Sequence, residues 1–141
     1  MTMNIDISTE FGARVARRLT EDRIAWLTTV DADEAPQPSP VWFLWDGATL
    51  LIYSESNKAK LRNIERNPRV AFNLNGDQFG GDIVVLSGEA RVDPTAPAAS
   101  AIPAYVEKYR VGLERIGMTP ESFAAAYSVP IRVTPSKVRG H

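Results

Sequence analysis

Residues Tyr53-Ser54-Glu55-Ser56-Asn57-Lys58-Ala59-Lys60-Leu61-Arg62-Asn63-Ile64 place two serines and two lysines directly behind the apolar run Leu50-Leu51-Ile52. That order suits anion binding. Ser54 and Ser56 can donate hydrogen bonds, and Lys58 and Lys60 carry full charges. A helix opening there would add backbone N–H groups with no intrahelical partner and the positive end of its dipole. In a chain of net charge −1, so local a cluster points to a phosphate pocket rather than a polyanion surface. The same residues also suit a plainer arrangement, with Ser56 as an N-cap and the cations on the solvated face of a helix that buries Leu61 and Ile64.

A second stretch, Pro38-Ser39-Pro40-Val41-Trp42-Phe43, suits a flat ligand. Prolines leave neighbouring backbone groups outside a strand ladder, and Trp42 offers a large planar face. Core packing by Val41 and Phe43 would account for the same residues. Other clusters are weaker. Asp31, Asp33 and Glu34 have no apolar surroundings to raise a carboxyl pKa, so they read as a solvated turn. Gly76 and Gly80-Gly81 lack the spacing of a phosphate loop and read as a wide hairpin with Phe79 at its tip.

The absences remove chemistry. The chain has no cysteine and one histidine, His141. A thiol nucleophile and a thiolate zinc site are therefore excluded, and with the one histidine at the final position a Ser-His-Asp triad or a multi-histidine metal site within one chain is not expected. An enzyme with this composition would rely on a cofactor for the difficult step.

The positioning elements follow from periodicity. Phe11, Val15 and Leu19 mark a helix over 9–19, and strands are expected over 24–30, 37–44 and 49–54, the last two joined at Asp46-Gly47. Pro36, Pro38 and Pro40 confine the second strand to an edge or bend. A helix over 57–66 stops at Asn67-Pro68, and strands over 69–74 and 82–92 flank the glycine loop. Residues 94–116 read as helical, Thr119-Pro120 opens another helix, and 129–133 is a final strand. The expectation is a mainly β fold, a small six-stranded antiparallel barrel with helical decoration, forming one domain over 1–141. Acidic and basic residues balance at 17 and 16, which argues against nucleic acid. No apolar run approaches the ~20 residues of a membrane span, and Met1-Thr2-Met3-Asn4-Ile5-Asp6 lacks the features of a secretory signal. A cytoplasmic protein is expected.

Taken together, the strand Ile24-Ala25-Trp26-Leu27-Thr28-Thr29-Val30, the Pro38–Phe43 stretch, Ser54-x-Ser56-x-Lys58-x-Lys60-x-x-Asn63-Ile64 and Asn67-Pro68-Arg69-Val70 resemble the pyridoxamine 5′-phosphate oxidase-like superfamily, the flavin-binding split β-barrel. Lys108-Tyr109-Arg110, Gly117-Met118-Thr119-Pro120-Glu121 and Tyr127-Ser128-Val129-Pro130 look like a subfamily of its actinobacterial branch that uses the deazaflavin coenzyme F-420. The resemblance implies a homodimer with two cofactor sites at the subunit interface. It places Ser54, Lys58 and Lys60 on the cofactor phosphate, with Ser56 as a further donor, and Pro40, Val41 and Trp42 along the ring system. It implies hydride transfer from reduced deazaflavin to an electron-poor double bond of a small acceptor. FMN on the same barrel is the alternative, as is a non-catalytic deazaflavin-binding or storage protein. Coenzyme F-420 carries a lactyl-oligoglutamate tail, for which Arg62 and Arg66 would line an exit. The chain ends at Pro135-Ser136-Lys137-Val138-Arg139-Gly140-His141, without the arginine- and tryptophan-bearing segment of true pyridoxamine phosphate oxidases, so vitamin B6 oxidation is not expected.

Overall fold

The computed structural model describes residues 3–141; Met1 and Thr2 of the N-terminal stretch read above lie outside the described residues. Seven strands form one antiparallel sheet in the order β2-β1-β5-β6-β7-β4-β3. They are β1 (Ala25–Val30), β2 (Pro36–Val41), β3 (Leu44–Trp45), β4 (Leu50–Ser54), β5 (Arg69–Leu74), β6 (Val84–Val92) and β7 (Val129–Gly140). The strands β2 and β3 occupy opposite edges of the sheet, yet only Trp42 and Phe43 separate them in the chain. The sheet therefore has to curl, and it forms a half-barrel.

That junction corrects the expected count of six. Residues 37–44 do not form one strand, because the chain leaves β1 at Val41 and joins β4 at Leu44. The three prolines behave as expected for an edge. Pro36, Pro38 and Pro40 pair with Val30, Thr28 and Trp26, and their two-residue spacing puts every missing N–H on the unpaired side of the strand.

The last strand is longer than the expected 129–133. It runs to Gly140 through Pro135, because a register shift at Ser87/Gly88 of β6 accommodates the proline. A side chain at Gly88 would run into the Thr134 carbonyl and Pro135, so that crossing needs glycine.

The helices α1 (Glu10–Glu21) and α2 (Ala59–Arg66) pack on the barrel through Val15, Leu19 and Ile64. The expected helix over 94–116 resolves into a 3₁₀ turn (Ala99–Ala101), α3 (Pro103–Lys108) and α4 (Arg110–Arg115). Next comes α5 (Pro120–Ala126), opened by a reciprocal cap in which Ser122 N donates to Thr119 Oγ1 at 3.1 Å and Thr119 N to Ser122 Oγ at 2.9 Å. None of the helices among the described residues is long and apolar enough to cross a membrane.

Two apolar layers result. The barrel interior holds Leu27, Phe43, Leu50, Ile52, Phe72, Leu86, Ile131 and their neighbours. A second layer, under α3–α5, holds Leu51, Tyr53, Tyr105, Tyr109, Leu113 and Phe123, with Trp42 against it. Every residue of β4 is buried, since alternate residues serve the two layers: Leu50 and Ile52 the first, Leu51 and Tyr53 the second. Trp42 and Phe43 diverge in the same way.

Candidate functional site

The chain leaves β4 at Ser54, and Asn57 adopts a left-handed φ of 65° before Lys58 extends into α2. An asparagine tolerates this conformation better than most residues. No side chain caps α2, whose N-cap residue is Lys58 rather than Ser56. Its first N–H groups and the two lysines therefore converge beside the exit of β4.

A cleft of about 300 Å³ opens there, lined by Pro40, Val41, Trp42, Tyr53, Ser54, Glu55, Lys58, Lys60, Ile116, Phe123 and Tyr127. The structure thus brings together six of the residues singled out from sequence. Ser56 is exposed and is not among the lining residues. Ser54 is buried, and its hydroxyl donates to the Glu55 carbonyl at 2.8 Å, so it must exchange that bond to serve a ligand. Lys58 Nζ pairs with the Glu55 carboxylate at 3.6 Å with both groups largely exposed, a weak and exchangeable contact. Burial lowers the Lys60 pKa from its ordinary value, and the neighbouring Lys58 charge lowers it further, against the opposing pull of Glu55. An anion bound between the two ammonium groups would reverse that direction.

The wall at Trp42 differs from the free face expected there. Its indole stacks on Tyr109 (4.4 Å between centroids, 6° between planes) and on Phe123 (5.4 Å, 17°). Phe123 in turn stacks on Tyr127 (4.4 Å, 15°). Val41 and Phe43 face the barrel core, as core packing requires. The wall that the cleft offers is consequently Pro40, the accessible part of Trp42, Phe123 and Tyr127.

Sequence reasoning missed Glu55, Tyr53, Ile116, Phe123 and Tyr127 as cleft residues. Tyr127 sits next to a strand start, and its neighbourhood carried only a subfamily resemblance. No local periodicity marks a helix that returns over β4. The Tyr53 hydroxyl is engaged with the Pro97 carbonyl at 2.6 Å, and burial pushes this phenol up to about 12. Burial, followed by the charge of Glu55, also raises Tyr127.

A larger groove, about 630 Å³, lies along α2 and the end of β6 and meets the cleft at Lys58. Arg62 and Arg91 line it above Leu61, Ile64, Ala90 and Val92; Arg66 does not. The weaker clusters resolve as turns. Asp31 accepts from Asp33 N and Ala35 N at 2.9 Å each. Asp77 accepts from Phe79 N and Gly81 N at 2.7 and 2.8 Å, leaving Phe79 94% exposed at the tip. No group of acidic or histidine side chains suited to a metal ion occurs among the described residues.

A family model described as pyridoxamine 5′-phosphate oxidase matches residues 11–141. No curated protein matches the chain. A solved structure called F-420 reductase is 26% identical, with a TM-score of 0.59 covering 87% of this chain and 94% of its own. A conserved hypothetical protein from Mycobacterium tuberculosis is 21% identical, with a TM-score of 0.70 over 99% of this chain and 88% of its own. The heme storage protein of Vibrio cholerae is 16% identical, with a TM-score of 0.65 over 94% and 95%.

Proposed function

Because the chain belongs to the pyridoxamine 5′-phosphate oxidase family, we propose that it is a coenzyme F-420-dependent oxidoreductase acting on a small acceptor with an electron-poor double bond. The observation that carries this reading is the cleft itself, where one wall of flat and rigid side chains faces Lys58, Lys60 and the uncapped start of α2. Family members bind flavins such as FMN, and the similarity to an F-420 reductase supports the deazaflavin over FMN.

When bound, the deazaflavin supplies two-electron hydride chemistry. Lys58, Lys60 and the first N–H groups of α2 would hold the phosphate, with Ser54 as a further donor. Pro40 and Trp42, with Phe123 and Tyr127 beside them, would orient the ring while Val41 backs them from the core, so that proximity and alignment lower the barrier without a side-chain base. Of the two tyrosines in the cleft, Tyr53 has its hydroxyl committed to Pro97, which leaves solvent or Tyr127 to protonate the acceptor. Lys58, Arg62 and Arg91 give the adjoining groove the charge that an oligoglutamate tail needs. The protein works as one domain and as a homodimer, in which a second copy closes the cleft over the exposed Pro40 and Ile116.

Side-by-side titration of cofactor-free protein with F-420 and FMN tests the reading. Micromolar or tighter binding of F-420 and much weaker binding of FMN is the expected result. Preference for FMN would move the protein to the flavin-dependent alternative. A carrier role is the second reading, kept open because the sequence singles out no catalytic acid and because the same fold occurs in a heme storage protein. Tight binding of reduced F-420 without acceptor-dependent oxidation across a panel of enones would establish it.

A further inference from the structure

Tyr109 lies at the base of four consecutively stacked rings: Tyr109 on Trp42, Trp42 on Phe123 and Phe123 on Tyr127. Trp42, Phe123 and Tyr127 line the cleft, whereas Tyr109 does not reach it and is 1% exposed. Its hydroxyl is held by backbone from two distant segments. It accepts from Phe43 N at 2.8 Å, and its proton is shared by the carbonyls of Arg23 at 2.8 Å and Phe43 at 3.0 Å. The preceding residue reinforces the same point. Lys108 Nζ donates to the Phe43 carbonyl at 2.9 Å and stands 3.8 Å above the Phe43 ring. One turn further, a Cβ on Gly112 would lie 3.1 Å from Cη2 and Cζ2 of Trp42, so α4 approaches the indole closely enough that a larger residue would press on it.

These contacts converge on the Trp42-Phe43 junction, which takes the chain from one sheet edge to the other. A two-residue crossover has no ladder partners of its own to set its orientation. The helices provide them instead: Tyr109 supplies the plane, its hydroxyl the backbone anchor, and Gly112 the clearance.

We propose that Tyr109 is a positioning residue of the cleft, setting the plane of Trp42 and, through Phe123, that of Tyr127, so that the wall is selective for a planar ring. The inference rests on the reading that the cleft holds a cofactor with a flat ring and a phosphate. Its distinguishing consequence is that ring recognition and phosphate recognition separate. Tyr109 touches neither Lys58 nor Lys60, so its loss should act on the ring alone.

The experiment compares two probes on the full-length wild type and on Tyr109→Leu, Tyr109→Phe and Gly112→Ala. The probes are the coenzyme the wild type prefers, F-420 or FMN, and inorganic phosphate. Tyr109→Leu should weaken coenzyme binding about tenfold while phosphate affinity changes less than about twofold, as loss of an aromatic stack predicts. Tyr109→Phe keeps the stacking ring and should recover most of that loss. If Tyr109→Leu fails to fold, Gly112→Ala asks the same question, because its methyl group presses on the indole by a few tenths of an ångström while leaving the hydroxyl anchor in place. Equal loss of both affinities, or unchanged coenzyme affinity in a folded variant, would overturn the proposal. Wild-type protein that binds neither coenzyme would defeat the functional reading instead. The positioning claim is then decided by near-ultraviolet circular dichroism, as the band lost in Trp42→Phe should collapse in Tyr109→Leu and persist in Tyr109→Phe. A band unchanged in Tyr109→Leu would overturn it.

Discussion

The barrel interior and the layer beneath α3–α5 are both buried, but they are built from different materials. The interior is aliphatic apart from Phe43 and Phe72, which meet edge to face at 5.1 Å, and its strands supply most of it. The outer layer is aromatic. It gathers Tyr53, Tyr105, Tyr109 and Phe123 around Trp42 from separate parts of the chain, and three of these side chains, Trp42, Tyr53 and Phe123, also line the cleft. Aliphatic side chains fill volume without direction, whereas rings impose planes and phenols bring hydroxyls that need partners. The difference shows in the buried Tyr105 hydroxyl, which has no hydrogen-bond partner among the described residues. The interior confers stability on the fold, and the layer gives shape to the site at some cost in unpaired polarity.

Truncation should separate the two regions most sharply. Phe43→Ala removes a fully buried ring from the interior and is expected to cost about 3–5 kcal/mol. Urea unfolding measures it, and a loss below about 1 kcal/mol would mean that the two layers do not divide labour in this way. Lys58→Ala should do the reverse. Removing its charge-assisted hydrogen bond weakens coenzyme binding by roughly 1.5–3 kcal/mol, ten- to a hundred-fold, with no change in the urea midpoint. Unchanged affinity in the folded variant would remove Lys58 from the phosphate site.

Two pH experiments sharpen the comparison with smaller effects. Asp93 anchors the outer layer's framework: it accepts from Thr95 Oγ1 at 2.6 Å and from Arg132 Nε at 2.8 Å. These bonds, the Thr95 hydroxyl first, hold its carboxyl down to about 2 from an ordinary 3.8. A depressed pKa stabilises the fold above the unfolded value and loses that contribution as pH falls through the folded one. Stability should therefore decline between about pH 4 and 2, and Asp93→Asn should flatten that decline; an equally steep decline in the variant would rule Asp93 out as its source.

The chain's four tyrosines all belong to the outer layer or its rim, and burial raises each of their phenols, Tyr53 to about 12. Raised values stabilise the fold below the unfolded pKa near 10 and lose that effect as pH climbs through the folded values. Absorbance at 295 nm should show tyrosinate forming at higher pH in the folded than in the unfolded protein, with Tyr53, Tyr105 and Tyr109 the last to ionise. Ordinary titration near 10 would mean that the layer is open to water.

Much of the interior could be read directly. Alternation in β1 and β5 and the β4 run were evident, because a two-residue period records which face meets a core. The edge position of β2 was legible too, since proline cannot donate to a ladder. The gathering of Ser54, Lys58 and Lys60 at one cleft was legible, being local: all three lie within six residues of the end of β4. Ser56 was misplaced because the left-handed Asn57 moves the helix start past it. The extension of β7 through Pro135 was hidden, because a proline signals a break unless a bulge is known to face it.

By itself, then, the sequence determined the positions of most strands, the edge prolines, the basic stretch at the helix start and the lack of any cysteine. Each of these follows from residue type and short-range spacing. Only the tertiary structure decided which way Trp42 and Phe43 turn, and that Glu55, Phe123 and Tyr127 share a cleft with the lysines. The hydroxyl of Tyr109 bonds the backbone of Phe43 across 66 residues, and no local period carries such a contact. It exists because a curled sheet must join its two edges through a short crossover, and the helices packed on that crossover settle its geometry.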